Sequence, residues 1–285
     1  MQTPLDRLVE LLDLETIEVD IFRGRQPTES LQRVFGGQVA GQALVAAGRT
    51  VPEDRPVHSL HAYFLRPGDP SVPIVYEVDR IRDGRSFTTR RVVAIQHGKP
   101  IFNMSASFQV VEDGLEHATP MPDVPNPETL QTIQERMAAY SDELGGWFSR
   151  PRPIDIRYVT DPPRVIRDKG TTREPRSQVW MRADGKLPDD PLLHVCAVAF
   201  ASDMTLLDST LLSHGLAMGK DPVMLASLDH AMWFHRPFRA DEWFLYDQDS
   251  PATSGGRGLA RGEIYTHDGK LAVSVVQEGL IRLRR

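Results

Sequence analysis

The chain of 285 residues contains one cysteine, Cys196. That excludes an intramolecular disulfide and any metal site built from several thiolates, and it suits a reducing compartment. Cys196 lies in the apolar run HVCAVAF, where a buried and inert thiol is expected. An excess of positive charge is also missing. The formal net charge is -6, which argues against gripping phosphate backbones as a main task but leaves room for a local basic pocket. No apolar run approaches the roughly 20 residues that span a bilayer. The opening MQTPLDRLVELLDLE has no basic segment leading into an apolar one, so secretion is not expected. The closing LIRLRR is not a peroxisomal tripeptide. The expectation is a cytoplasmic protein with no nucleic-acid or membrane partner. Phosphate loop, nucleophile elbow, Ser-His-Asp pattern and zinc-ligand spacing are all missing, and no metal is expected.

What is present occurs twice. Leu5, Leu8, Leu11 and Leu12 have helical spacing, and TIEVDIFRG alternates like a strand. The small-residue stretch GGQVAGQALVAAGRT follows and predicts a helix that lets other backbone approach closely. Strand-like runs LHAYFL, IVYEVDRIR, SFTTRRVVAIQ and PIFNMSASFQV come next, with turn signals at Arg82-Asp83-Gly84 and His97-Gly98-Lys99. A proline-rich connection, EHATPMPDVPNPETL, and a polar helix over ETLQTIQERMAAYSDEL mark a junction. The order then repeats: IDIRYV, SQVWMRAD, an apolar helix in DDPLLHVCAVAFASDMTLL, and four strand-like runs to the end.

Particular residues repeat as well. Phe64-x-Arg66-Pro67 matches Phe234-x-Arg236-Pro237, Gly84-Arg85 matches Gly256-Arg257, and His97-Gly98-Lys99 matches His267-Asp268-Gly269-Lys270. The reading is an internal duplication, with repeats at 1–115 and 154–285 and a helical linker at 116–153. Each repeat is an α+β layer of one apolar helix on an antiparallel sheet. If the strands curl around the helix, each is a hotdog fold. Two fused copies then make a double hotdog with a pseudo-twofold interface.

A site kept in only one copy should appear as asymmetry. Setting Val39 on Val195 puts Ala47 opposite Asp203. Setting the Gly-Lys turns on each other puts Ala106 opposite Gln277, and Ser59 matches Ser227. The second copy therefore holds Asp, Ser and Gln where the first holds Ala, Ser and Ala. Asp203 closes an apolar helix, where the helix dipole opposes a negative charge. Gln277 alternates with Val273 and Val275, so it points to their face of the sheet and needs hydrogen-bond partners there. Together the three residues supply what water activation needs: a carboxylate to take the proton, and two polar groups to orient the water. Direct attack by the carboxylate stays open.

The stretches LQRVFGGQVAGQAL, VHSLHAYFLRPGDP, GRSFTTRRVVAIQHGKPIFNMSASFQ, AFASDMTLL, LDHAMWFHRPF and SVVQEG together resemble the acyl-CoA thioesterase II family of double-hotdog enzymes. The resemblance runs from about residue 15 to 282. It implies hydrolysis of fatty acyl-CoA to free acid and CoA, with water held by Asp203, Ser227 and Gln277. It implies no cofactor, since coenzyme A is part of the substrate, and a homo-oligomer, a dimer or tetramer of double-hotdog chains. The segment 112–176 is the least family-like.

Further candidates concern substrate binding. His58 resembles a family position once considered as a base. The FGGQVAG glycines have the wrong spacing for a dinucleotide loop, but backbone N–H groups of Gly37 and Gln38 could polarise a carbonyl. Phe64, Met232, Trp233 and Phe234 are candidates to line an acyl slot between helix and sheet. Arg257 and Arg261 would share a strand face and could meet CoA phosphates. The alternatives are an enoyl-CoA hydratase or dehydratase on the same fold, using His58 or His61 with an acid, and a non-catalytic acyl-CoA sensor. A sensor would be expected to carry an appended DNA-binding or partner domain, and no helix-turn-helix stretch is visible.

Overall fold

The computed structural model describes residues 2–27, 33–140, 151–219 and 221–283. Helix α1 (Pro4–Leu12) is capped reciprocally by Thr3 and Asp6 and turns Leu5, Leu8 and Leu12 inward. The alternating stretch after it is a hairpin rather than one strand. Strand β1 (Glu15–Glu18) pairs with β2 (Ile21–Gly24), Glu15 opposite Arg23. Asp20 at the bend has a φ of 61°, a left-handed conformation that a short polar side chain tolerates. The chain reverses there and leaves Val19 exposed.

Helix α2 (Gly36–Gly48) is buried on nearly every side, which is why it carries no polar face. Strands β3 (Val57–Phe64), β4 (Ile74–Asp83), β5 (Phe87–Gln96) and β6 (Lys99–Gln109) curl over it. His97 and Gly98, both at positive φ, form the tight turn between β5 and β6.

The linker is not the continuous helix expected of it. A 3-10 turn at Pro127–Thr129 is followed by helix α3 (Ile133–Arg136) and a second 3-10 turn at Ala138–Tyr140. Thr132 and Glu135 form a capping box that starts a new helix, so none runs through from Glu128. The rest of that expected helix lies outside the described residues.

The second copy comprises β7 (Ile154–Tyr158), α4 (Pro163–Asp168), β8 (Arg176–Ala183) and α5 (Pro191–Ser202). Then come α6 (Ser209–Leu212), β9 (Val223–Ser227), β10 (Asp229–Phe234), β11 (Phe244–Ser254), β12 (Arg257–Thr266) and β13 (Leu271–Leu283). By length and composition Pro191–Leu212 could cross a membrane, contrary to the sequence reading, yet 72% of that window is buried within the fold. Its first part, α5, is the core helix of the second copy.

The strands form one antiparallel sheet in the order β1-β2-β4-β5-β6-β3-β10-β13-β12-β11-β8-β7, with β9 also on β13. The two copies meet at β3 and β10, where His61 lies opposite Ala231, Ser59 opposite Trp233 and Tyr63 opposite Asp229. This symmetric pairing makes Tyr63 the counterpart of Trp233, and Ser59 the counterpart of Asp229.

The match of Ser59 to Ser227 is therefore wrong. Ser227 pairs with Gly279 as Val57 pairs with Phe108, each seven residues before the matched Phe64 and Phe234, so matching the two serines assumes a two-residue gap that the strands do not contain. The match of Arg85 to Arg257 fails too. Asp79 faces Arg91 as Asp249 faces Arg261, and beyond both pairs the ladders shift alike, Arg82 to Thr89 and Ala252 to Leu259. Arg257 thus corresponds to Phe87. Ala106 remains the counterpart of Gln277, because Leu60 faces Ala106 and His230, one step beyond the Ala231–Val276 pair, falls opposite Gln277.

Candidate active site

The helices α2 and α5 cross antiparallel at the centre. A Cβ on Gly37 would lie 2.3 Å from the Phe200 carbonyl oxygen, and one on Gly48 2.6 Å from Leu192. This crossing answers the puzzle of a carboxylate at a helix C-terminus. Asp203, the C-cap of α5, lies at the N-terminus of α2, whose dipole favours negative charge. The Gly37 N–H donates to it. A Cβ on Gly36 would lie 2.6 Å from Asp203 Oδ2, so that position has to be glycine if the carboxylate is to keep its place.

The other carboxylate oxygen is held by the sheet. Gln277 Nε2 donates to Asp203 Oδ1 at 2.7 Å, and Ser227 Oγ donates to the same atom at 3.2 Å. Gln277 comes from the inward face of β13 with Val273 and Val275, and it is 0% exposed. Its Oε1 has no hydrogen-bond partner. Ser227 ends β9 just before the kink at Leu228, where Asp229 Oδ1 accepts the Glu278 N–H at 2.6 Å. Burial pushes the Asp203 carboxyl up to about 6, against the pull of Gln277, Ser227 and Gly37 in that order. The group is therefore anionic at neutral pH, held by three donors and poorly hydrated.

The corresponding positions in the first copy, Ala47, Val57 and Ala106, are all apolar and buried. The asymmetry is sharper than the sequence comparison made it, because the serine is missing as well. Two polar residues beside the site escaped the sequence reading. His230 is 0% exposed, and its Nε2 lies 2.9 Å from Ser202 Oγ. Their signal was available as a histidine on the apolar face of a strand that has leucine in the other copy.

The remaining candidates separate by sheet face. Phe64 points inward: a Cβ on Gly36 would lie 3.0 Å from its ring. Phe64 therefore borders the Asp203 site. Met232 is fully buried, but Trp233, the next residue, points to the opposite face and meets the His61 ring at 5.2 Å. Strand side chains alternate, so Met232 and Trp233 cannot line one slot, and Trp233 is removed from it.

His58 lies 2.8 Å from Ser107 Oγ through Nε2 and packs edge-on against Phe87. It is not among the groups that touch Asp203. The Gly37 N–H is already used by Asp203 and so is not a free oxyanion donor. The Gln38 side chain is turned to Gln26 Oε1 and the Arg25 carbonyl. Arg257 pairs with Glu278 at 2.9 Å, and Arg261 pairs with Asp249, both exposed across strands. The Arg261 pair recurs as Arg91 with Asp79 in the copy that lacks the carboxylate site, which marks it as part of the sheet. Among the described residues no group of three or more His, Cys, Asp or Glu is arranged to hold a metal ion.

Two helices wrapped by one antiparallel sheet, with a carboxylate site at the helix crossing, define a double hotdog protein. The family model for acyl-CoA thioesterases matches residues 150–280, and that for the acyl-CoA thioesterase N-terminal domain matches residues 25–109. Acyl-coenzyme A thioesterase 8 of Mus musculus is 44% identical over 97% of this chain and 89% of its own length. Acyl-CoA thioesterase 2 of Haemophilus influenzae is 40% identical over 99% of both chains. The crystal structure of an acyl-CoA thioesterase II from Mycobacterium marinum superimposes with a TM-score of 0.80 at 46% identity, covering 97% of this chain and 98% of the other. The chain belongs to the acyl-CoA thioesterase II family, a family of hydrolases.

Proposed function

We propose that this chain hydrolyses fatty acyl-CoA by a water molecule activated at Asp203. The observation that carries the reading is the Asp203 carboxylate itself: desolvated, anchored through Oδ1 by Gln277 and Ser227, and supported by the Gly37 N–H. Because both side-chain donors are spent on Oδ1, what remains for water is acceptor capacity, at Oδ2 and on the Ser227 oxygen. A water that donates to both has its lone pair free to attack the thioester carbon. Asp203 takes the proton as the C–O bond forms. The tetrahedral intermediate then expels the CoA thiolate, which recovers the proton from Asp203. The products are a free acid and CoA, and the chemistry uses no group beyond the coenzyme A of the substrate. Phe64, Met232 and Phe234 on the inward sheet face offer the acyl chain an apolar wall.

Hydration chemistry finds no support here. Neither His58 nor His61 contacts a carboxylate among the described residues; their partners are Ser107 and the Trp233 ring. The test is release of free thiol from short-, medium- and long-chain acyl-CoAs by wild type and Asp203→Asn. Loss of a general base is expected to lower kcat about 10²–10⁴-fold. Equal rates from both proteins would remove Asp203 from the mechanism. Tight acyl-CoA binding without any release would favour the sensor.

A further inference from the structure

Gln277 and His230 present the same anomaly on neighbouring strands. Both are 0% exposed, and each keeps one polar atom without a partner, Oε1 of Gln277 and Nδ1 of His230. A buried polar atom left unpaired is destabilising, so two in one place call for an explanation. The register of β10 and β13 puts the two residues opposite each other, one step past Ala231 and Val276, with both side chains on the inward face.

The protons can be assigned. Ser202 Oγ lies 2.9 Å from the Ala199 carbonyl, 2.9 Å from His230 Nε2 and 3.7 Å from Met232 Sδ. With its one hydrogen given to the carbonyl, a far better acceptor than a thioether, its oxygen accepts from an Nε2–H. Burial also keeps the ring neutral, lowering its pKa to about 4. Nδ1 then carries a bare lone pair. Gln277 must show Nε2 to the Asp203 carboxylate, so Oε1 is an acceptor too. Two facing acceptors cannot bond to each other, but one water with two hydrogens satisfies both.

We infer that His230, through a water shared with Gln277 Oε1, is a positioning residue that holds the Gln277 amide in the orientation that feeds Asp203. The need is greatest after Asp203 has taken a proton. The attraction between Nε2–H and Oδ1 is then weaker, and an amide free at its other end can turn over. The first copy supports this independently. There Asp203, Ser227, Gln277, His230 and Ser202 correspond to Ala47, Val57, Ala106, Leu60 and Ala46, all apolar and buried. The histidine and the glutamine are thus present together in one copy and absent together from the other.

The inference rests on the proposed role of Asp203, and the experiment separates the two. Steady-state kinetics and melting would be measured for wild type, Asp203→Asn, and His230→Leu, →Asn and →Gln, with a medium-chain acyl-CoA. His230→Leu is expected to lower kcat about ten- to hundredfold, as misplacement of a catalytic group does, with KM and Tm unchanged. Asparagine places an oxygen near Nδ1 and should recover kcat to within about threefold, whereas glutamine replaces Nε2 instead and should resemble leucine. Wild-type kcat in His230→Leu, or an asparagine variant no better than the glutamine one, would overturn the inference. Should the leucine variant fail to fold, the contrast between asparagine and glutamine decides alone. The side-chain amide resonance of Gln277 gives a readout without turnover: one slowly exchanging NH₂ pair in wild type and His230→Asn, lost in His230→Gln. If Asp203→Asn keeps full activity, the base mechanism falls, while this resonance still tests the contact between His230 and Gln277.

Discussion

The two halves of the sheet have the same architecture and differ in what they place at the end of the central helix. In the second half, α5 ends in Asp203 beside Gly36, and three donors converge on the carboxylate. In the first half, α2 closes with Ala47 and Gly48, and Leu192 fills the facing space. The scaffold elements are shared. Arg66 donates to the Pro100 carbonyl as Arg236 does to that of Leu271, and the Asp79–Arg91 pair repeats as Asp249–Arg261. Several contacts that hold the sheet are duplicated, whereas the Asp203, Ser227 and Gln277 set is single. A buried structural group can be single too, since Arg90 of the first copy answers to Ala260 of the second.

The strongest way to break this contrast is to write the first copy into the second. The triple variant Asp203→Ala, Ser227→Val, Gln277→Ala is expected to lose at least about 10³-fold in kcat/KM while still folding, since each replacement is apolar at a buried or half-buried position. Thiol release and a melting curve check both parts, and a loss below tenfold would end the one-site reading.

The reverse transfer tests the other side. Ala47→Asp puts a carboxylate at a position with 0% exposure, in the copy where the counterparts of Ser227 and Gln277 are Val57 and Ala106. It should cost about 3 kcal/mol or more in stability, measured by urea unfolding, and create no second activity. Gly36→Ala is a smaller probe. Its methyl would sit 2.6 Å from Asp203 Oδ2, so kcat should fall about ten- to hundredfold with little change in Tm. Normal kcat would mean that Oδ2 is not the working oxygen.

The pH dependence follows from the same carboxylate. Its folded pKa, about 6, lies above the ordinary aspartate value of 3.8, so the base is lost as pH falls through about 6 and kcat/KM should drop there. The linked stability effect has the opposite sign from a salt-bridged Asp. Folding favours the protonated form, so the cost of the buried charge is absent below the unfolded pKa and is fully present above about 6. Asp203→Asn should therefore melt at or above wild type at neutral pH and lose that advantage in acid. A flat rate profile down to pH values near the ordinary carboxylate range would contradict the raised pKa.

The smallest effect is expected at Arg261. It is an exposed partner of Asp249 with a twin in the half that lacks the carboxylate, so Arg261→Ala should change stability by under about 1 kcal/mol and leave KM for acyl-CoA within about twofold. A large rise in KM would restore it as a contact for CoA phosphates.

Much of the fold was legible because both of its periods are local. The apolar stretch from Pro191 to Ser202 and the alternation of Val273, Val275 and Gln277 each name their element and its buried face. The same local logic failed at Val19 and Asp20, where a left-handed residue folds one expected strand into a hairpin. It failed again at Trp233, placed in a slot its neighbour Met232 already faces. The candidate site was legible in its residue types, since an Ala opposite an Asp survives even approximate alignment.

By itself the sequence determined a duplicated α+β chain with Asp203 and Gln277 in one copy only, because hydrophobic period and residue identity are properties of the chain. Tertiary structure decided, through strand pairing, that Ser227 answers to Val57 rather than Ser59, because the spacing from the matched Phe64 and Phe234 runs unbroken through both strands, whereas matching serine to serine assumes a gap. It alone showed that the N-terminus of α2 lies against Asp203. The helix dipole that made this carboxylate look misplaced belongs to one helix, and the field that accommodates it comes from another, over 150 residues away along the chain but in contact across the core.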